Sequence, residues 1–192
     1  MILVFDTETT GTIDKGATFK PLSGFPNLVQ IAWNIYTNEG KLISSQSYII
    51  KPIGFTNPKT ASDIHGITTE DAIKDGVDSK RIMQLFNKDV NKATVLVAHN
   101  FRFDSKIVMA ESIRVGDYCP IFDKKKEVFD TMVKYKNLSK NKFKNGAKKF
   151  PKLRDLYYTI FNKYFENEHN ALADVEACAD IYFKLKSNIW KY

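Results

Sequence analysis

The amino-acid sequence predicts a mixed α/β fold, in which helices pack against one sheet of five strands. Extended apolar patterns come first along the chain, and helical patterns then alternate with short apolar strands. This order is typical of helices that flank a mixed sheet. At 192 residues the chain is long enough to bury a complete core, so we expect a single domain over residues 1–192.

Extended segments dominate the first part of the chain. Residues 2–5 are a continuous apolar run, typical of a strand buried on both faces. Apolar residues alternate with polar or smaller ones over residues 29–35, and residues 38–41 supply a turn before an extended segment at residues 42–50. We predict a three-stranded meander from these segments, with residues 11–28 as an irregular loop rich in glycine and proline.

Helical patterns alternate with two short strands in the rest of the chain. Thr68 and Asp71 have the spacing of a capping box at the start of a helix. The further predicted helices carry apolar faces at residues 82–90, 103–110, 153–164 and 175–185. The last two predicted strands lie at residues 94–98 and 128–131.

Charge and hydropathy limit the classes of partner. Lysine and arginine outnumber aspartate and glutamate by 29 to 22, and the net charge of +7 favours a polyanion such as nucleic acid. No apolar run approaches the roughly 20 residues of a membrane-spanning helix, so we expect no membrane partner. The N-terminus lacks a secretory signal, and Cys119 and Cys178 are too few for a disulfide framework. We therefore expect a cytoplasmic or other intracellular, reducing compartment.

Four carboxylates lie at the edges of apolar elements. Asp6 and Glu8 are two positions apart on the first predicted strand, so their side chains share a face. Asp104 and Asp174 border the apolar faces of two predicted helices. Like charges held this close favour a cation between them, and two Mg²⁺ or Mn²⁺ ions about 4 Å apart suit such oxygen ligands. For each of these four acids alone, the alternative is an ordinary acid at a strand end or a helix start. Asp130 is a further acid, and we expect it to cap a helix rather than to bind metal.

His169 is the candidate general base. Asn170 can cap the last predicted helix and leave His169 on the preceding loop, from which the imidazole can face the metal site. Histidine side chains titrate near neutral pH, so His169 can accept the proton of an attacking water. A surface histidine without a catalytic role is the alternative for this residue alone.

Three sequence motifs occur together in a fixed order. They are FDTETTG at residues 5–11, HNFRFD at residues 99–104 and HNALAD at residues 169–174. Together they resemble the three exonuclease motifs of the DnaQ-like, or DEDDh, family, which includes the proofreading epsilon subunit of bacterial DNA polymerase III and ribonuclease T. The resemblance extends through residues 64–68 and 129–131. It implies a ribonuclease H-like fold, two Mg²⁺ or Mn²⁺ ions and 3′ to 5′ release of nucleoside 5′-monophosphates.

The resemblance also implies a role for each catalytic residue. Asp6, Glu8 and Asp174 are expected to hold the catalytic ion. Asp6 is expected to bridge to a second ion that Asp104 supports, and His169 is expected to activate water. A histidine at position 169, rather than a tyrosine, is typical of the DEDDh branch.

A loop after the first strand is the candidate site for the terminal nucleotide. Glycine permits close backbone contact and threonine hydroxyls offer hydrogen-bond donors, so Thr9, Thr10 and Gly11 are expected to bind substrate. His65 and Asn100 are further candidates for the same pocket. Hydrogen bonding within a loop or at a helix cap is the alternative role for these two residues.

A basic stretch precedes the predicted helix at residues 153–164. Between Thr131 and Arg154 there are nine basic residues and no acid, with Tyr135, Phe143 and Phe150 among them. This pattern suits a groove that follows a nucleic-acid backbone while bases stack on the rings. A solvated loop is the alternative.

These observations predict a metal-dependent 3′ to 5′ exonuclease that acts on single-stranded or frayed DNA, with DNA preferred over RNA. An exoribonuclease that trims RNA or short oligoribonucleotides is the first alternative, because members of the resembled family differ in their pocket contacts to the 2′-hydroxyl and the motifs do not decide between DNA and RNA. A noncatalytic nucleic-acid-binding module is the second alternative. A polymerase or replication partner is compatible with catalysis, but no tail follows the last predicted helix, so we expect an independent enzyme.

Overall fold

The computed structural model describes residues 1–189, with side chains up to residue 186. Its strands are β1 (Ile2–Thr9), β2 (Thr18–Phe19), β3 (Leu22–Ser23), β4 (Leu28–Tyr36), β5 (Leu42–Ile49), β6 (Val95–Ala98) and β7 (Glu127–Asp130). Its α-helices are α1 (Lys59–His65), α2 (Thr69–Asp75), α3 (Ser79–Lys92), α4 (Phe101–Arg114), α5 (Thr131–Lys134), α6 (Leu153–Phe161) and α7 (Ala171–Ile189). The predicted mixed α/β fold is confirmed, while the end of the predicted domain, residues 190–192, lies outside the described residues.

The main sheet has the strand order β5-β4-β1-β6-β7. β4 pairs antiparallel with both β1 and β5, which confirms the predicted meander, and Gly40 takes a positive φ of 91° in the turn between β4 and β5. β6 runs parallel to β1 and to β7. Because the carboxyl ends of these three parallel strands meet at one edge, the residues that follow each strand are brought together there.

Both faces of β1 are covered by helices. Leu3 and Phe5 pack into a core with α3 and α4, whereas Ile2 and Val4 pack against α7. α6 packs in turn against α7. The alternation along β1 therefore directs its even-numbered side chains to the α7 layer and its odd-numbered side chains to the α3 and α4 layer.

The predicted capping box begins α2. Thr68 Oγ1 accepts a hydrogen bond from Asp71 N at 3.0 Å, and Asp71 Oδ2 accepts one from Thr68 N at 3.0 Å. Each side chain thus satisfies a backbone N–H that the first helical turn leaves without a partner.

Thr68→Ala is expected to lower the free energy of unfolding by about 1 kcal/mol, because the N-cap acceptor is lost. In a chain of this size that change corresponds to a decrease in Tm of about 2–4 °C. Thermal melting of Thr68→Ala beside Thr68→Ser measures it, since serine retains the hydroxyl. Equal Tm values for the two variants would contradict a capping role.

The structure corrects several predicted boundaries. The helix predicted over residues 153–164 ends at Phe161, because Asn162 takes the left-handed conformation with φ of 54° and leaves Tyr164 outside the helix. Thr131, predicted as the end of a strand, is the first residue of α5. The irregular loop predicted at residues 11–28 contains the β2–β3 hairpin, and α1 was not predicted.

Cys119 and Cys178 are buried and free. Burial raises the pKa of the Cys119 and Cys178 thiols, so both are held in the uncharged form. Within residues 1–189, no helix is both long enough and apolar enough to span a membrane.

Candidate active site

The three motif segments meet at the edge of the sheet where β1, β6 and β7 end. A cavity of about 490 Å³ opens there. All five residues proposed as catalytic from the sequence line it: Asp6, Glu8, Asp104, His169 and Asp174. They come from β1, from the first turn of α4, and from the turn and first helical turn at the start of α7.

Strand alternation and one long-range hydrogen bond bring Asp6 and Glu8 to Asp174. Asp6 and Glu8 are even-numbered residues of β1 and share the face that α7 covers. Gln30, on the neighbouring strand β4, accepts a hydrogen bond from Ala171 N at 3.1 Å through its Oε1. This bond fixes the beginning of α7 over the sheet edge and holds Asp174 beside the two acids.

Asp104 is held on β1 by Thr7. The carboxylate oxygen Oδ1 of Asp104 accepts hydrogen bonds from Thr7 N at 3.1 Å and from Thr7 Oγ1 at 2.6 Å. Thr7 lies on the β1 face opposite to Asp6 and Glu8, toward α4. Sequence reasoning did not assign a role to Thr7, although the Asp-Thr-Glu order already places it on that opposite face.

The buried carboxyls are difficult to ionise together. Burial raises the pKa of Asp6 well above its ordinary value, and the charges of Asp104, Asp174 and Glu8 add to the effect. Burial raises the pKa of Glu8 to about 8, again with Asp174 and Asp104 adding. Burial raises the pKa of Asp104 and of Asp174 to about 7. Hydrogen bonds from Thr7 to Asp104 and from His169 N to Asp174 favour the charged carboxylates and partly offset this rise.

A divalent cation fits this arrangement. Oδ1 of Asp174 is buried and has no hydrogen-bond partner within the described part of the chain, while its Oδ2 accepts a hydrogen bond from His169 N at 3.2 Å. One ligand atom each from Glu8, His169 and Asp174 can be chosen so that all lie within 4.8 Å of one another. Oxygen-rich sites of this kind suit Mg²⁺ or Mn²⁺, and a cation would offset the repulsion that raises the carboxyl pKa values.

The metal-free protein is expected to lose thermal stability between about pH 6.5 and about pH 8. The pKa values of the cluster carboxyls are higher in the folded than in the unfolded state, so the folded protein binds more protons and loses stability as the pH rises through the folded values. Burial lowers the pKa of His65 and His99, so these two histidines make stability rise with pH, but only below about pH 6.5. Melts in EDTA above that pH therefore isolate the carboxyls.

Addition of Mn²⁺ at about pH 8 is expected to raise Tm by roughly 5–10 °C, the effect of a ligand near a hundred times its Kd. Asp6→Asn is the matched variant, because it removes one charge of the cluster and should flatten the pH dependence measured in EDTA. A Tm in EDTA that rises over this pH range would contradict the prediction.

His169 lies in the turn before α7, as the sequence predicted. Asn170 Oδ1 accepts hydrogen bonds from Leu172 N at 3.1 Å and Ala173 N at 3.4 Å and so caps the helix. His169 takes the left-handed conformation with φ of 67°, and its side chain is half exposed at the cavity. Its Nε2 lies 3.8 Å from Oε1 of Glu168, a cavity residue to which sequence reasoning gave no role.

Comparison with known proteins agrees with this geometry. The family model named for RNase T and described as "Exonuclease" matches residues 3–182. The chain belongs to the DnaQ-like exonuclease family. No curated protein sequence matches it significantly.

Solved structures of similar fold include two complexes of E. coli exonuclease I. The complex with a dT13 oligonucleotide has a TM-score of 0.76 and 20% identity, covering 100% of this chain and 42% of that chain. The zinc-bound complex with ssDNA has a TM-score of 0.76 and 20% identity, covering 99% and 41%. This likeness supports the ribonuclease H-like fold, and the chain spans about two-fifths of the length of those proteins.

The loop residues predicted to bind substrate line a second cavity, of about 320 Å³. Thr9, Thr10, Gly11 and His65 all lie on it. The second cavity adjoins the first, because both are lined by Thr7, Glu8 and Phe103. Asn100 lies on the first cavity rather than on the second.

Hydrogen bonding within the protein leaves some of these groups available to a ligand. Thr9 Oγ1 donates to Gly11 O at 2.6 Å, so the predicted free donor is already used, whereas Thr10 Oγ1 accepts from Asn27 N at 2.9 Å and keeps its own hydrogen. Nε2 of His65 is buried with no partner among the described residues. A Cβ added at Gly11 would meet no atom of the described residues within 4 Å, so the backbone there lies beside open space.

Asp130 is a helix cap, as predicted. Its Oδ1 accepts hydrogen bonds from Met132 N at 3.0 Å and Val133 N at 3.2 Å at the start of α5. The same oxygen accepts from Asn100 N at 3.1 Å, which holds the HNFRFD turn against β7. The Asn100 side chain forms no cap hydrogen bond to α4.

Proposed function

We propose that this chain is a divalent-metal-dependent exonuclease that removes nucleotides from the 3′ end of single-stranded or frayed DNA and releases nucleoside 5′-monophosphates. The observation that carries this proposal is the meeting of four motif carboxylates and His169 at one cavity. Family membership of the chain supports exonuclease chemistry at this cavity rather than a structural use of the acids. We further propose that residues 1–192 act as one DEDDh exonuclease domain.

The carboxylates are proposed as ligands of two Mg²⁺ or Mn²⁺ ions. Asp6, Glu8 and Asp174 would hold one ion, and Asp6 and Asp104 would hold the other. When bound, such a pair activates water and stabilises the leaving 3′ oxygen in an in-line phosphodiester displacement. The unpartnered oxygen of Asp174 and the raised pKa values of all four carboxyls support this assignment.

His169 is proposed to accept the proton of the attacking water. Its ring is half exposed at the cavity, so it can exchange that proton with solvent. The hydrogen bond from His169 N to Asp174 and the Asn170 cap hold the turn that carries the ring. Oε1 of Glu168 lies 3.8 Å from Nε2 of this ring, at the same cavity.

The second cavity is proposed to receive the terminal nucleotide. Thr10 retains a hydroxyl hydrogen, and Gly11 leaves space beside its backbone. Nε2 of His65 has no hydrogen-bond partner among residues 1–189. Thr9 shapes this loop through its bond to Gly11 O, and Asn100 lies on the neighbouring catalytic cavity. Contact between the two cavities at Glu8 would place the scissile phosphate beside the carboxylates.

A preference for DNA is supported by the likeness in fold to exonuclease I bound to dT13. An exoribonuclease is the alternative within the same chemistry, distinguished by acceptance of a 2′-hydroxyl at the terminal nucleotide. Association with a polymerase or other replication protein is compatible with either substrate.

The test is an incubation of purified protein with 3′-labelled and 5′-labelled single-stranded DNA and RNA, in Mg²⁺, Mn²⁺ or EDTA. Stepwise, metal-dependent shortening from the 3′ end is the expected result, with DNA degraded faster than RNA. Faster degradation of RNA would favour the exoribonuclease. Absence of cleavage on every substrate would favour a noncatalytic binding module.

A further inference from the structure

Residues 134–154, here called the basic segment, are folded against the domain. Lys142 and Lys148 form an isolated antiparallel bridge, and Lys149 N donates to Asn141 O at 2.9 Å. Phe143 N donates to the backbone carbonyl of residue 147 at 2.8 Å. Because of these contacts, residues 134–154 form a defined surface rather than the solvated loop that was the alternative prediction.

His99 fixes the basic segment to the wall of the catalytic cavity. Its Nδ1 lies 2.9 Å from Thr131 Oγ1, and its Nε2 lies 3.0 Å from Pro151 O. Because a carbonyl oxygen only accepts, Nε2 donates to Pro151. His99, Phe150, Pro151 and Lys152 all line the catalytic cavity, so the basic segment forms part of its rim.

A further groove of about 240 Å³ continues from this rim. Its lining includes residues 138–141 together with Tyr158 and Tyr164. Pro151 lines both this groove and the catalytic cavity, so the two lie next to each other. The tyrosine rings are stacked with centroids 4.6 Å apart, and Lys140 Nζ lies 5.5 Å from the ring of Tyr158.

Aromatic rings and positive charge alternate along the basic segment. Phe143 is 54% exposed and Phe150 is 48% exposed, although large apolar side chains usually avoid water. Lys149 Nζ lies 5.2 Å from the Phe143 ring, and Lys136 Nζ lies 4.6 Å from the Phe150 ring. Each ring thus stands beside a cation that can reach a phosphate when a base stacks on the ring.

Two acids border this surface, and each has a protein partner. Asp155 lines the groove and accepts a hydrogen bond from Asn141 Nδ2 at 3.3 Å. Glu168 forms an ion pair of 3.0 Å with Arg154. The basic segment itself contains no acid, so the surface keeps a large excess of positive charge.

We propose that the basic segment and the groove bind the single-stranded part of the substrate that lies 5′ to the nucleotide being removed. Lysines contact successive phosphates, and the exposed rings stack with unpaired bases, which a duplex would not offer. This placement rests on the proposed function for the position of the 3′ end. The affinity for single strands, however, is measurable without any cleavage.

Two variants with four Lys→Gln substitutions each test the proposal. The segment variant carries them at Lys140, Lys142, Lys144 and Lys149. The control variant carries them at four exposed lysines near the sheet edge opposite to the catalytic cavity. These are Lys41 in the β4–β5 turn, Lys88 near the end of α3, and Lys124 and Lys125 in the turn before β7. Both variants lose the same charge, so only the location of that charge differs.

Fluorescence anisotropy in EDTA with dodecamers of deoxyuridylate and of uridylate, which differ only in the sugar, measures affinity at several salt concentrations. The segment variant is expected to bind about tenfold or more weakly, with a salt slope reduced by about 2 to 3, and the control variant to bind as the wild type does. With Mg²⁺, the control variant is expected to cleave a saturating trimer at a rate within about twofold of that of the wild type.

Equal affinities and salt slopes for the wild type and the segment variant would overturn the proposal, as would equal losses in the two variants. If the wild type cleaves nothing yet binds dodecamers in a manner that depends on the segment lysines, the proposed function fails while the binding surface stands. A loss confined to one of the two dodecamers identifies the sugar that this surface prefers.

Discussion

Asp6→Asn is expected to lower kcat at least about a thousandfold. Asp6 is proposed to contact both ions, and it lies among Glu8, Asp104 and Asp174, so its loss weakens both ion sites together. Asparagine retains the shape of the side chain but removes its charge. Single-turnover cleavage of labelled DNA, with enzyme in excess and Mn²⁺ saturating, distinguishes a slower chemical step from weaker substrate binding.

Stability in EDTA distinguishes this loss of activity from unfolding. Burial and like charges raise the pKa of Asp6, so the substitution relieves an unfavourable buried charge and should leave Tm in EDTA equal or higher. Asp130→Asn is the matched control, because an amide oxygen can still accept the backbone hydrogen bonds that cap α5. Asp6→Asn activity within about tenfold of the wild type would contradict the assignment of Asp6 as a shared ligand.

His169→Asn is expected to lower kcat about a hundred- to ten-thousandfold, the usual contribution of a general base. Asparagine tolerates the left-handed conformation that residue 169 adopts, so the turn and its bond to Asp174 should persist. Added imidazole should restore part of the rate, because it can accept the proton in place of the missing side chain.

Metal affinity decides between two roles of His169. A ligand atom of its ring can lie within 4.8 Å of those of Glu8 and Asp174, so the geometry also allows the ring to bind a cation directly. A general base predicts that Mn²⁺ affinity, measured by calorimetry, is unchanged in His169→Asn. A clear loss of Mn²⁺ affinity, without rescue by imidazole, would make His169 a metal ligand instead.

Local sequence patterns determined most of the secondary structure. Period-two alternation placed Asp6 and Glu8 on one face of β1, and the Asn170 cap placed His169 outside α7, because both features depend on residues a few positions apart. The motif order indicated the family before any contact was known. The apolar pattern wrongly predicted that the helix continues to Tyr164, whereas Asn162 takes the left-handed conformation and ends α6 at Phe161.

Only the tertiary structure decided how the site is held and what surrounds it. Gln30 anchors α7 across 141 positions of sequence, Thr7 fixes Asp104 across 97, and His99 joins the basic segment to the cavity across 52. Local propensity and periodicity carry no information about such pairs, because they arise when packed layers bring distant segments together. The raised carboxyl pKa values have the same origin, since burial and charge proximity exist only once β1, α4 and α7 have met.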